Sequence, residues 1–119
     1  MSKIKIRSQI KNKDGIHTFI GKGILNKNVI TYKDKEVLTK ITLKPLRIER
    51  IDQNTIEINL KEREISKVIY KTEYGIYYME SELIELKESK GSINIKYNLI
   101  QNNSILDTFE YNLEYSIDS

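Results

Sequence analysis

"HTFIGKGILN", residues 17–26, carries the chain's only histidine and two of its five glycines, set on either side of a lysine. Two readings compete for it. A phosphate-binding loop needs its glycines in the turn between a strand and a helix, where backbone N–H groups at the helix N-terminus converge on the anion. Here Gly21 and Gly23 stand two residues apart in an alternating run, in phase with Phe19 and Leu25. No helical pattern follows, and Asn26-Lys27-Asn28 turns the chain instead. Glycines at that spacing strip one face of a strand and let it bend sharply, as the wall of a small barrel must. The stretch reads as a bent strand, and His17 as a surface residue near a hairpin rather than a catalyst.

The same period of two extends in both directions. Upstream, "KIKIRSQI" (3–10) sets Ile4, Ile6 and Ile10 against Lys3, Lys5 and Arg7, and Asp14-Gly15 signals a hairpin. Downstream come "VITYKD" (29–34), "EVLTKITL" (36–43), "LRIERI" (46–51) and "TIEINL" (55–60). Pro45, the single proline, belongs at a strand start or edge because it cannot donate to a ladder. "SINIKYNL" (92–99) and "ILDTFEYNLEYSI" (105–117) alternate most cleanly, with "QNNS" (101–104) between them. Two segments fit a helical spacing as well as a strand. These are "KEREISKVIYK" (61–71), through Ile65, Val68 and Ile69, and "MESELIELKES" (79–89), through Met79, Leu83 and Leu86. A short helical turn fits either place, although Tyr77, Met79 and Leu83 also keep a period of two and assign most of 74–86 to a strand.

About eight to ten short, evenly punctuated strands predict an all-β fold, an antiparallel up-and-down barrel or a sandwich. The chain's 119 residues suit one domain spanning 1–119. Twenty-one isoleucines and no alanine agree with strands, since β-branched side chains suit a pleated surface. An AT-rich genome would enrich isoleucine too, so the order of residues carries more weight than their number. Residues 1–50 hold a net charge of +9 and residues 51–119 a net of −6. If the first and last strands pair, outward Lys3, Lys5 and Arg7 meet outward Glu110 and Glu114, and the sheet closes without exposed edges.

Three stretches carry a likeness to a known family. "GKGILNKNVITYKD" (21–34) supplies Gly23, Leu25, Tyr32 and Asp34; "YKTEYG" (70–75) supplies Tyr70, Thr72, Tyr74 and Gly75; "GSINIKYNL" (91–99) supplies Gly91, Ile93, Ile95, Tyr97 and Leu99. Together they resemble the YwiB-like family, small bacterial proteins of unknown function with a calycin-like (lipocalin-type) β-barrel. The chain departs from the pattern at Glu73, where members often have proline, and in a shorter stretch between Leu60 and Tyr70. The resemblance implies a calycin-like barrel and carries over no activity and no catalytic residues.

Signals for chemistry are few. A hydrolytic triad would need His17, but no G-x-S-x-G and no cysteine accompanies it. One histidine cannot build the usual transition-metal site, and "KNKDG" lacks the spaced carboxylates of a calcium loop. Glu62 with Glu64, and Glu80 with Glu82, read as solvated pairs rather than acid–base machinery. No cofactor or metal is implied, and binding is favoured over catalysis. The first binding hypothesis is a small apolar or acidic ligand in the barrel's interior or mouth. Tyr32, Tyr70, Tyr74, Tyr78 and Tyr97 would offer hydroxyls to it and Arg47 would anchor an acid, although the same tyrosines would equally fill a packed core. The second is an RNA- or protein-binding outer surface using Lys3, Lys5, Arg7, Lys11, Lys13, Lys22 and Lys27, with salt-dependent affinity for phosphates. A homodimer through an outer tyrosine patch that includes Tyr77 is a third. With no signal-peptide pattern and no membrane-length apolar run, a cytoplasmic location is the expectation.

Overall fold

Alternating apolar and polar residues build ten antiparallel strands in the computed structural model, which describes residues 1–118. They are β1 (Ser2–Asn12), β2 (Gly15–Asn26), β3 (Val29–Asp34), β4 (Val37–Leu43), β5 (Leu46–Ile51), β6 (Thr55–Asn59), β7 (Ile65–Thr72), β8 (Gly75–Ser89), β9 (Ser92–Gln101) and β10 (Ser104–Ile117). Each strand pairs with its neighbours in the chain, and β1 pairs with β10 to close the barrel. Pro45 stands in the β4–β5 turn, at the strand start where a residue without an N–H does no harm, and its bond to Lys44 is cis. None of the described residues forms a helix long and apolar enough to cross a membrane.

The closing seam sets Ile4 opposite Ile117, Arg7 opposite Glu114 and Lys11 opposite Glu110. Charge matching across it is therefore real but shifted by a step. Lys5 approaches Asp118 at 3.9 Å, and Glu110 turns to Lys96 at 3.6 Å.

The short helical turn expected in 61–71 or 79–89 is absent among the described residues. Lys61 bridges Glu64 across a tight turn in which Arg63 takes φ 63°. In β8 the register with β9 jumps between Leu83 and Glu85, leaving Ile84 as the extra residue of a β-bulge. A bulge shifts the alternation by one. Leu83 and Leu86 thus both pack against the core although they stand three residues apart, which is the spacing that imitates a helix.

The axis is filled by one apolar cluster. Ile4, Ile6, Ile30, Ile41, Ile48, Ile93, Ile95 and Leu113 are almost fully buried in it. Polar groups that enter are paired in two places: Tyr32 and Tyr111 hydrogen-bond through their hydroxyls, and Ser81 Oγ donates to the Asn59 carbonyl.

The glycines of the opening stretch have separate tasks. β2 pairs with β1 along its length but with β3 only from Gly23 onward, so the strand leaves the β3 ladder at Gly23. A Cβ there would lie 2.5 Å from Ile6 Cδ1 and 2.6 Å from the Thr31 carbonyl oxygen. Gly21 instead makes a seat for a ring: a Cβ on it would lie 2.5 Å from Phe19 Cζ. That ring stacks on Tyr32 with centroids 4.8 Å apart.

Candidate functional site

Strand parity decides which polar side chains reach the open end of the barrel. Ile30, Tyr32 and Asp34 share the axis-facing row of β3, and Leu46, Ile48 and Arg50 share that of β5. At this end a pocket of about 250 Å³ is lined by Ile10, Asn12, His17, Arg50 and Phe109, with the β1–β2 turn at its rim. His17 Nε2 stands 2.6 Å from Asp34 Oδ2, which orients the imidazole at the rim. Arg50 makes no ion pair among the described residues.

Below the pocket the floor is aromatic. Phe109 stacks on Tyr97 with centroids 5.2 Å apart, and Phe19 stacks on Tyr32. Desolvation pushes the Tyr32 hydroxyl above its ordinary pKa, against the opposing pull of hydrogen bonds from Ser8 and Thr39 and of the Arg50 charge. Desolvation pushes Tyr97 up further, again opposed by Arg50 and reinforced by Asp107. The guanidinium of Arg50 is thus the positive pole of an aromatic-floored mouth whose rim also carries the Asp14 and Asp34 carboxylates. Such an arrangement can grip an anion with an apolar body. Among the described residues lining the pocket none is a hydroxyl or thiol nucleophile, and no three His, Asp or Glu side chains group as metal ligands.

The six tyrosine and arginine candidates do not form one site. Tyr32 and Tyr97 are buried on the axis. Tyr70 is half-buried, and its hydroxyl accepts from Asn54 Nδ2 at 3.3 Å. Tyr74 sits in the β7–β8 turn with 84% of its surface exposed, and Tyr78 lies on the outer wall at 61%, with the Lys67 ammonium 5.7 Å from its ring centroid. Arg47 points away from the axis, toward Glu57 at 3.7 Å and Glu49 at 4.0 Å, and its Nε is buried without a partner. The arginine at the mouth is Arg50. Phase was the signal that separates them: Arg50 keeps step with Leu46 and Ile48, and Arg47 does not.

Five of the seven basic candidates share a surface. Lys3, Lys5, Arg7 and Lys11 alternate along the outer wall of β1, and Lys22 lies opposite Lys5 on β2. Lys13 leaves the set to donate to the Leu106 carbonyl at 3.3 Å, and Lys27 occupies the β2–β3 turn. Carboxylates interleave with the strip. Asp118 lies 3.4 Å from Lys22, and Glu110 and Glu114 line the adjoining strand.

Compared with known proteins, residues 4–114 match the family described as Domain of unknown function (DUF1934). The crystal structure of the ywiB protein from Bacillus subtilis superposes on 99% of this chain and 93% of its own, with a TM-score of 0.71 at 12% sequence identity. At that identity the likeness speaks for the fold. No curated protein sequence matches the chain. With the family match running from β1 into β10 and the barrel architecture common to both, the chain belongs to the DUF1934 family of small YwiB-like β-barrel proteins.

Proposed function

We propose that the protein is a non-catalytic, cytoplasmic binding module that takes a small organic anion at the open mouth of its barrel. One observation carries this reading: Arg50 rises from the axis-facing row into the pocket and has no carboxylate partner among the described residues. An unpaired guanidinium beside apolar surface is where a ligand's carboxylate or sulfonate gains most, because charge-assisted hydrogen bonds strengthen as water is excluded. Ile10 and Phe109 would cover the ligand's apolar body, and Asn12 and His17 would meet its polar edge. The packed axis argues for the mouth over the interior as the ligand's place. RNA binding through the β1 wall draws less support, because Asp118, Glu110 and Glu114 lie among its lysines and blunt the attraction for phosphates.

Titration with 8-anilinonaphthalene-1-sulfonate, an aromatic anion that fluoresces when desolvated, tests the proposal. Saturable 1:1 binding is expected, weakened about 10- to 100-fold by Arg50→Gln, as the loss of a charged hydrogen-bond donor implies. Arg47→Gln, three residues away on the outer wall, should leave the affinity unchanged. Equal affinity in wild type and Arg50→Gln would refute the assignment.

A further inference from the structure

β8 is longer than either neighbour can cover. Its first half, Gly75 to Glu82, pairs with β7, and its pairing with β9 begins only at Glu80 opposite Ile100. Gly75–Met79 therefore has no strand on its β9 side. Alternate residues of this edge present unpaired N–H and C=O groups, a template for another strand. Natural edges of this kind usually carry charge or proline. This one reads Gly-Ile-Tyr-Tyr-Met and holds neither. Ile76 and Tyr77 are 54% and 52% exposed, in keeping with a surface that lacks its cover.

We propose that Gly75–Met79 is the interface of a homodimer, in which the β8 edges of two copies pair antiparallel about a two-fold axis at Tyr77. The segment is self-complementary in that register. Tyr77 meets its own copy, and Ile76 of each chain lies opposite Tyr78 of the other, an aromatic–β-branched pair of the type that stabilises antiparallel ladders. No like charges oppose one another, because the flanking Glu73 and Glu80 fall opposite Ser81 and Tyr74 of the second copy. Room for the overhang is already present. A groove of about 530 Å³, lined by Tyr78, Glu80, Ile100 and the β9–β10 turn, lies where the second copy's Tyr74 would arrive. Five paired residues bury less than the roughly 1,200 Å² of a stable interface, and the Tyr74 ring of each copy, seated against Tyr78 in the other's groove, adds to it. Isologous pairing closes on itself, so the edge is consumed rather than extended into a fibre.

Sedimentation equilibrium on the full chain tests the pairing and its register together. The wild type should show a monomer–dimer equilibrium. Ile76→Lys with Tyr78→Lys should weaken it at least 10-fold, since the register sets the new ammonium groups against each other. Ile76→Lys with Tyr78→Glu should restore it, because each new lysine then faces a new glutamate. The chain has no cysteine. Tyr77→Cys should therefore form a disulfide dimer on mild oxidation, Cβ atoms at a symmetric antiparallel pair being within bonding reach, while Lys90→Cys at the other end of β8 should not. Circular dichroism establishes that each variant folds. A wild type that stays monomeric up to about 1 mM would overturn the proposal. So would a dimer indifferent to both lysine variants, or a monomer that binds only extended peptides along this edge.

Discussion

Replacing Gly23 by alanine puts a methyl group where the barrel has no space. Its Cβ would stand 2.6 Å from the Thr31 carbonyl oxygen and 2.5 Å from Ile6 Cδ1. Neither neighbour yields easily: the carbonyl is part of the β2–β3 ladder, and Ile6 is buried in the core. Overpacking of this kind costs about 1–3 kcal/mol, and the upper end applies when backbone must move. Alanine also stiffens the unfolded chain, which offsets about 0.4–1 kcal/mol. The net loss is about 2–2.5 kcal/mol. With an unfolding entropy of about 2.1 cal/mol/K per residue, the 119-residue chain should lose about 8–10 °C in Tm. Gly21→Ala is the contrast. There the added methyl meets only the end of the Phe19 ring, which can swing aside at the expense of its stack on Tyr32. That stack is worth about 0.5–1.5 kcal/mol, so Tm should fall by about 4 °C. In a Phe19→Ala background Gly21→Ala should become neutral or stabilising, while Gly23→Ala stays damaging. Differential scanning calorimetry of the wild type and the five variants decides the matter. A Gly23→Ala protein within about 1 °C of wild type, or one less affected than Gly21→Ala, would refute this account of the bend.

Two further expectations follow from other parts of the barrel. Burial raises the pKa of Tyr97, so the unfolded chain releases this proton first and stability is complete below pH 10 and declines above it. Urea denaturation between pH 9 and pH 11 should show Tyr97→Phe losing less stability than wild type, by about 1.4 kcal/mol in total across that range, and parallel slopes would contradict the assignment. Deleting Ile84 removes the bulge and leaves Leu86 facing the axis in unbroken alternation with Leu83, whereas deleting Ile84 and Glu85 together flips the parity of the rest of β8 and turns Lys87 toward the axis in place of Leu86. Cooperative unfolding should be lost or weakened by more than about 3 kcal/mol in the double deletion, whereas the single deletion should cost no more than about 1–2 kcal/mol and Ile84→Thr, at an exposed position, about 0.5 kcal/mol in the same denaturant titration.

Most strands were legible because one face of each is wetted and the other packed, as in Ile93, Ile95 and Tyr97 against Asn94 and Lys96. Legibility failed where that simple alternation is broken. The bulge at Ile84 changes the spacing of Leu83 and Leu86 from two to three, and nothing local distinguishes this from one face of a helix. Ile65 and the half-buried Ile69 stand on the outer face while Val68 is buried on the inner, so β7 is apolar on both sides and its phase is hidden. The mouth was harder still. His17 and Asp34 are far apart along the chain and meet only because β2 leaves the β3 ladder at Gly23, a long-range result of a local bend. Arg50 was readable by counting from Ile48. Arg47 stands out in the sequence instead, because one of the two carboxylates that neutralise it, Glu57, reaches it only across the β5–β6 ladder, while Glu49 lies on its own strand.

Closure through β1 and β10 also governs when the molecule can come into being. Ile4 finds Ile117 across nearly the whole chain, so during synthesis the first strand waits with one side bare until the last has left the ribosome. Every other ladder is a hairpin that forms as it emerges, but the seam is a long loop closure, and such non-local pairings set the slow step of all-β folding. A nascent chain stalled before β10 would hold an unclosed sheet with two sticky margins. Chaperone dependence during translation should therefore rise as the chain lengthens and end abruptly with the release of β10.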